Sequence, residues 1–135
     1  MDKDELIKVL NYALQFEYND VFLYPREARE IKDKNVAELF ENFGLMEIRH
    51  ADMLAIRILE LGGKPIWEFK LLSDLSDLKE ILKRHLNREE ETVNFYQNLI
   101  EQVDNPEIKI VLRGIRAEEE MHRDKIKELL SQEAG

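Results

Sequence analysis

Two copies of one motif, a glutamate followed three residues later by a histidine, are the parts of this sequence best suited to chemistry. The first copy is Glu47 with His50, and the second is Glu119 with His122. Residues three apart on an α-helix lie on one face, so the two side chains of each pair can reach a single metal ion. Carboxylate and imidazole groups are both ligands of divalent transition metals. The motifs therefore predict metal binding by two helices.

The two motifs belong to a larger internal repeat with a shift of 72 residues. The shift also places Glu17 on Glu89 and Tyr24 on Tyr96. In each half the motif glutamate follows the first glutamate by 30 residues, and the tyrosine follows it by 7. A shift of one residue in the assumed helical register would make Glu90 the predicted ligand in place of Glu89. The 72-residue repeat favours Glu89. Six candidate ligands thus form two copies of one half-site: Glu17, Glu47, His50, Glu89, Glu119 and His122.

All six candidate ligands lie on stripes of otherwise apolar residues, where the pattern predicts the protein core. Burying carboxylates without compensating charge is very costly, and two divalent cations would balance four negative charges. In such a centre each ion receives one terminal carboxylate and one histidine, while Glu47 and Glu119 bridge both ions. A set of carboxylates and imidazoles without thiolates suits iron or manganese, and zinc also fits.

Four helices are needed to position these ligands. Hydrophobic periodicity and helix-capping residues predict helices at about residues 3–32, 35–61, 74–103 and 106–131. Short turns within each pair predict two antiparallel hairpins, joined by a non-helical connection at residues 62–73. If both half-sites lie at one level, this connection must cross about 40 Å, which twelve extended residues can span. The sequence therefore predicts one all-α domain of residues 1–135, a four-helix bundle with a long crossover. We expect Trp67 and Phe69 of the crossover to pack against its outside.

The composition argues against several classes of function. The net charge of -9 disfavours nucleic acid or an anionic membrane as a partner. The chain has no cysteine, which excludes disulfides, thiolate metal sites and thiol catalysis within it. Residues 2–5 are all charged, and no stretch approaches the ~20 apolar residues of a membrane span. We therefore expect a cytoplasmic protein.

With these residues identified, the sequence resembles the ferritin-like di-iron carboxylate proteins, which include bacterioferritins and rubrerythrins. The resemblance runs from Leu6 to Leu130 and rests on the six candidate ligands in family order. Tyr24 is placed like a tyrosine beside the metal centre of bacterioferritins. The resemblance implies a ferritin-like four-helix bundle with two iron ions per chain. It also implies ferroxidase or peroxidase activity on O2 or peroxide, with an electron donor that the sequence does not identify.

Three departures from the family pattern narrow these expectations. The haem of bacterioferritins is bound by a methionine directly after the first motif's glutamate, and Ile48 stands there, so no haem of that type is expected. The cysteine-rich electron-transfer module of rubrerythrins is absent. Only thirteen residues follow His122, too few for the fifth helix that helps ferritin cages to assemble. We therefore expect a homodimer or small homo-oligomer rather than a storage shell.

Four further residues have open roles. Asp20, one turn after Glu17, is either a supplementary ligand or proton relay, or an outward-facing solvated residue. His85 is either a hydrogen-bonding partner of a ligand or a partly buried structural residue. Tyr24 and Tyr96 are either redox or hydrogen-bonding partners of ligands, or ordinary core aromatics.

The leading functional hypothesis is a di-iron oxidoreductase that uses O2 or peroxide. One alternative is iron binding or storage without significant turnover, and another is a di-manganese enzyme that resembles catalases, because the ligands are shared. The third alternative is a metal-free helical bundle that acts as an interaction module. Metal content and the size of the assembly separate these hypotheses.

Overall fold

Four α-helices make up most of the computed structural model, which describes residues 1–133. They are α1 (Lys3–Ala28), α2 (Lys34–Glu60), α3 (Leu78–Gln102) and α4 (Pro106–Glu133). The described residues contain no β-strand, and none of their helices is long and apolar enough to cross a membrane. The chain divides into two compact units, Met1–Asp74 and Leu75–Gly135. In the first unit α1 packs on α2, and in the second α3 packs on α4.

Each helix begins after a short polar side chain that accepts hydrogen bonds from the free backbone amides of the first turn. Asp2 accepts from the Glu5 amide at 2.8 Å, and Asp33 accepts from the Asn35 amide at 2.9 Å. The same role is filled by Asp77 for α3 and by Asn105 for α4. Pro106, directly after the last cap, is the first residue of α4, where its missing N–H has no consequence.

Two helix boundaries lie inside the ranges expected from the sequence. α1 continues through Pro25 but ends at Ala28 rather than near residue 32, because its last turn tightens. There the amides of Glu30 and Ile31 donate to the carbonyl oxygens three residues earlier. α3 begins at Leu78 rather than near residue 74. The reason is a set of contacts, described next, that holds the preceding residues against α1.

The crossover runs along α1 and is fastened to it at three points. The Asn11 side chain donates to the Lys64 carbonyl at 3.0 Å and accepts from the Ile66 amide at 2.8 Å. Further along, Asn19 accepts from the Lys70 amide at 2.7 Å. Finally, Arg26 donates to the Leu72 carbonyl at 2.7 Å and forms an ion pair with Asp74 at 3.0 Å. The crossover therefore carries the chain from the beginning of α1 to its end, which explains its length.

Aromatic rings reinforce the crossover between these points. Trp67 contacts the Tyr18 ring, with centroids 5.2 Å apart, and Phe69 contacts the Phe22 ring at 4.9 Å. Both crossover rings thus pack against α1, and both stay half exposed. At the start of the crossover Gly62 adopts a left-handed φ of 85°, and the amide of the next residue closes the end of α2.

Candidate metal centre

The first unit brings together three of the six candidate ligands. Glu17 of α1 and Glu47 and His50 of α2 are fully buried. One potential ligand atom from each lies within 4.8 Å of the others. The Nδ1 atom of His50 is 3.7 Å from Glu17 Oε2 and 3.5 Å from Glu47 Oε1. Two ligands that bind one ion at about 2.1 Å are roughly 3 to 3.4 Å apart, so small side-chain rotations would complete a shared coordination sphere.

The second unit contains a cluster of the same composition. Glu89 of α3 and Glu119 and His122 of α4 are fully buried, and one potential ligand atom from each lies within 4.8 Å of the others. His122 Nδ1 is 4.0 Å from Glu119 Oε1. Glu90, the alternative that a slip of one residue would select, is exposed. The 72-residue repeat thus corresponds to two similar three-dimensional arrangements, one in each unit.

The donor atoms of both clusters fit a divalent cation. Each cluster supplies two carboxylates and one imidazole, and it has no sulfur ligand. Buried carboxylates are strongly destabilising unless positive charge compensates them, and a bound divalent ion provides that charge at the centre of the cluster. Oxygen and imidazole ligands suit iron, manganese and zinc.

Close packing of α1 on α2 sets the spacing of the first cluster. Gly44 lies one turn before Glu47 and faces Pro25, and a Cβ atom at Gly44 would be 3.1 Å from Pro25 Cδ. Next to this contact the buried Tyr24 ring meets the edges of Phe40 and Phe43, with centroids 5.3 and 5.6 Å apart. Tyr24 is therefore a core aromatic residue of this hairpin, and its role beside the ligands stays a prediction.

Three residues with open roles are buried, and two of them, Asp20 and His85, are not among the potential ligands of either cluster in the part of the chain that the structure describes. Asp20 is only 3% exposed, so it is not the outward-facing solvated residue of the alternative reading. His85 is fully buried rather than partly buried, and Tyr96 is also fully buried.

Sequence reasoning did not single out a fourth buried polar residue, Glu27 of α1. The one sequence feature that could have predicted its burial is its position. It stands one helical turn after Tyr24, on the same face of α1 as Glu17.

Comparison with known proteins supports the assignment of the fold. The family model of the ferritin-like domain matches residues 7–134. A bacterioferritin of Desulfovibrio desulfuricans is 38% identical over 66 residues, which cover 47% of this chain and 37% of that protein. The match thus spans little more than a third of the length of this relative.

Solved structures extend the likeness over nearly the whole chain. A ferritin-like, diiron-carboxylate protein from Bacillus anthracis str. Ames has a TM-score of 0.89 and 29% identity, covering 96% of this chain and 99% of that one. The structure of Desulfovibrio desulfuricans bacterioferritin, described with its diiron site in different catalytic states, has a TM-score of 0.88 and 23% identity. It covers 96% of this chain and 80% of that one. The predicted all-α, four-helix fold is therefore confirmed.

Proposed function

Because the chain belongs to the ferritin-like family, we propose that it is a di-iron oxidoreductase that reacts with O2 or peroxide. The observation that carries this proposal is the pair of buried clusters, each with two carboxylates and one imidazole. The ferritin-like structures of Bacillus anthracis and Desulfovibrio desulfuricans are described as diiron proteins, which favours iron over manganese or zinc for this ligand set.

Each of the two clusters would hold one iron ion, which gives two iron ions per chain. Each ion receives one terminal carboxylate, from Glu17 or Glu89, and one histidine. Glu47 and Glu119 would each bind metal together with the histidine that follows one helical turn later on the same helix. When bound, the iron pair supplies the electrons for reduction of O2 or peroxide.

The residues of the chain set the conditions for that chemistry. Their complete burial keeps bulk water from the ligands and strengthens the attraction between carboxylate and cation. Four carboxylates stabilise iron as its positive charge rises, and each can bind through one oxygen or through two.

Anaerobic titration of the purified chain with Fe(II), followed by separate exposure to O2 and to peroxide, tests the proposal. We expect two iron ions per chain and oxidation that saturates at this ratio. Glu47→Ala and Glu119→Ala should lower both, whereas Glu41→Ala, a change of an exposed residue on α2, should lower neither. Unchanged stoichiometry and oxidation in the first two variants would contradict the proposal. The faster of the two reactions identifies the oxidant.

Iron storage without turnover is the alternative function, and it requires a large closed assembly. A stripe of exposed apolar residues on α2 favours a dimer rather than a large closed assembly. Leu45 and Ile48 precede Asp52 by 7 and 4 residues, and Ile56 and Leu59 follow it by 4 and 7. If two copies of α2 meet antiparallel around an axis at Asp52, apolar residues of one copy face apolar residues of the other. Such self-complementarity is what a two-fold interface requires.

Two further expectations accompany the proposed function. Ile48 lacks the sulfur ligand that binds the haem of bacterioferritins, so the purified protein should contain no haem of that type when its pigments are extracted. The cytoplasmic location expected from the sequence stays a prediction, and fractionation of the source cells would test it.

A further inference from the structure

A row of apolar residues lies on the face of α4 that is opposite to its metal ligands. The row consists of Ile110, Gly114, Ala117 and Met121, at intervals of four, three and four residues, which places them on one face of the helix. All four are exposed, Ile110 by 67% and Met121 by 48%. A continuous row of exposed apolar residues marks an interaction surface more often than scattered ones do.

Gly114 stands in the middle of this row, and the single chain gives no packing reason for it. A glycine inside a helix is destabilising, because it loses more conformational freedom on folding than any other residue. Gly44 of α2 has a packing reason, since a Cβ atom there would be 3.1 Å from Pro25 Cδ. A Cβ atom at Gly114 would meet no other part of the described chain within 4 Å, its own helix backbone apart. The close approach of a second helix would account for this glycine.

We propose that this face of α4 binds the same face of a second copy of the chain, with the two helices antiparallel. A two-fold axis between residues 115 and 116 places Ile110 opposite Met121 of the second copy, and Gly114 opposite Ala117. Large residues then meet at the two ends of the contact, and small residues meet at its centre, where the helices approach most closely. Such self-complementarity is what a two-fold contact between identical chains requires. The proposal goes beyond the proposed function and does not depend on it.

Charged residues beside the row fit the antiparallel orientation. Arg113 and Glu120 lie on one flank of the row, seven residues apart, and the same axis brings Arg113 of one copy near Glu120 of the other. Arg113 is exposed, and the Glu120 side chain, which forms an ion pair with Arg116 at 3.3 Å, is 41% exposed. In a parallel pair each of these residues would face its own counterpart, and like charges would repel each other. Charge therefore favours the antiparallel arrangement.

The contact through α4 is expected to be weak. The row extends over about 16 Å of the helix, and one pair of helices of this length buries less surface than a standard protein–protein interface. At each end Glu107 also comes near Asp124 of the second copy, which is unfavourable, although Lys125 lies beside that aspartate. We therefore expect a Kd of about 0.1 to 1 mM, so that dilute protein shows only the contact of α2.

Sedimentation equilibrium of the full chain with Ile56→Glu, which removes the contact of α2, tests the proposal between about 10 µM and 1 mM protein. The average mass should rise from one chain toward two as the concentration increases. Arg113→Glu and Glu120→Arg should each weaken this association about fivefold, because like charges then meet, and the double variant with both changes should restore it. Lys79→Glu changes an exposed residue of α3 and alters the net charge as Arg113→Glu does, so it should leave the association unchanged.

A further variant, Gly114→Gln, separates association from folding. Glutamine favours a helix more than glycine does, so the single chain should melt at a higher temperature. The added side chain keeps two helices apart, so the association should nevertheless weaken about tenfold. A mass of one chain up to the highest concentration would overturn the proposal. Association that neither Gly114→Gln nor the single charge reversals weaken, or that the double charge reversal does not restore, would also overturn it.

Discussion

Glu47 carries a carboxylate into a fully buried position, 3.5 Å from the imidazole of His50. A charged group in such a place destabilises the fold unless a cation binds it, because burial removes its hydration. Three other glutamates of the two clusters are buried in the same way. Burial of these four carboxylates therefore lowers the stability of the metal-free protein and favours the binding of a cation.

Replacing Glu47 by the neutral glutamine should therefore stabilise the metal-free protein. We expect Glu47→Gln to raise the free energy of unfolding by about 1 to 3 kcal/mol after treatment with a chelator, because a buried negative charge is lost. The melting temperature should rise by a few degrees. Added Mn(II) should stabilise the variant less than the wild type. For the wild type, metal at about a hundred times its dissociation constant contributes about 2.7 kcal/mol.

Glu41→Gln is the control for this experiment, since Glu41 is exposed on the same helix. It should melt like the wild type with and without metal. A metal-free Glu47→Gln protein that melts no higher than the wild type would show that the carboxylate is not destabilising where it lies.

The crossover and α1 show which structural features a sequence can reveal and which it cannot. The proximity of Glu47 and His50 was predictable because the period of a helix places them on one face whatever else the chain does. The start of α3 was not predictable from local sequence. Arg26 binds Leu72 and Asp74, which are 46 and 48 residues away, and this contact keeps them out of the helix. The burial of Asp20 could not be predicted from the sequence either, because an acidic residue on a helix most often faces water.

Asn11 should contribute measurably to the attachment of the crossover. Its side chain makes two hydrogen bonds with backbone groups of Lys64 and Ile66. We expect Asn11→Ala to lower the free energy of unfolding by about 1 to 2 kcal/mol, since both backbone groups lose their partner. Urea denaturation measures this change. Hydrogen exchange should also show faster exchange of the Ile66 amide.

The matched control is Asn42→Ala, which removes the same side chain from an exposed position on α2. It should unfold at the urea concentration of the wild type. If Asn11→Ala also does so and the Ile66 amide keeps its protection, these two hydrogen bonds do not hold the crossover in solution.

The assembly of whole molecules should depend on the exposed stripe of α2. We expect sedimentation and light scattering to give twice the mass of one chain for the wild type. Ile56→Glu places a charge in the middle of the apolar stripe and should give a single chain, because a charge buried in an interface is strongly unfavourable. Ile110→Glu changes an exposed isoleucine of α4 and should leave the dimer intact. A mass of many chains, unaffected by Ile56→Glu, would favour the storage alternative.

The boundary between the two compact units falls after Asp74, the residue that Arg26 fixes at the end of the crossover. A single proteolytic cut there would leave each fragment with one helical hairpin, two glutamates and one histidine of the set. The 72-residue period of the sequence is close to the length of the first unit. The boundary between the units and the repeat in the sequence therefore divide the chain into the same two halves.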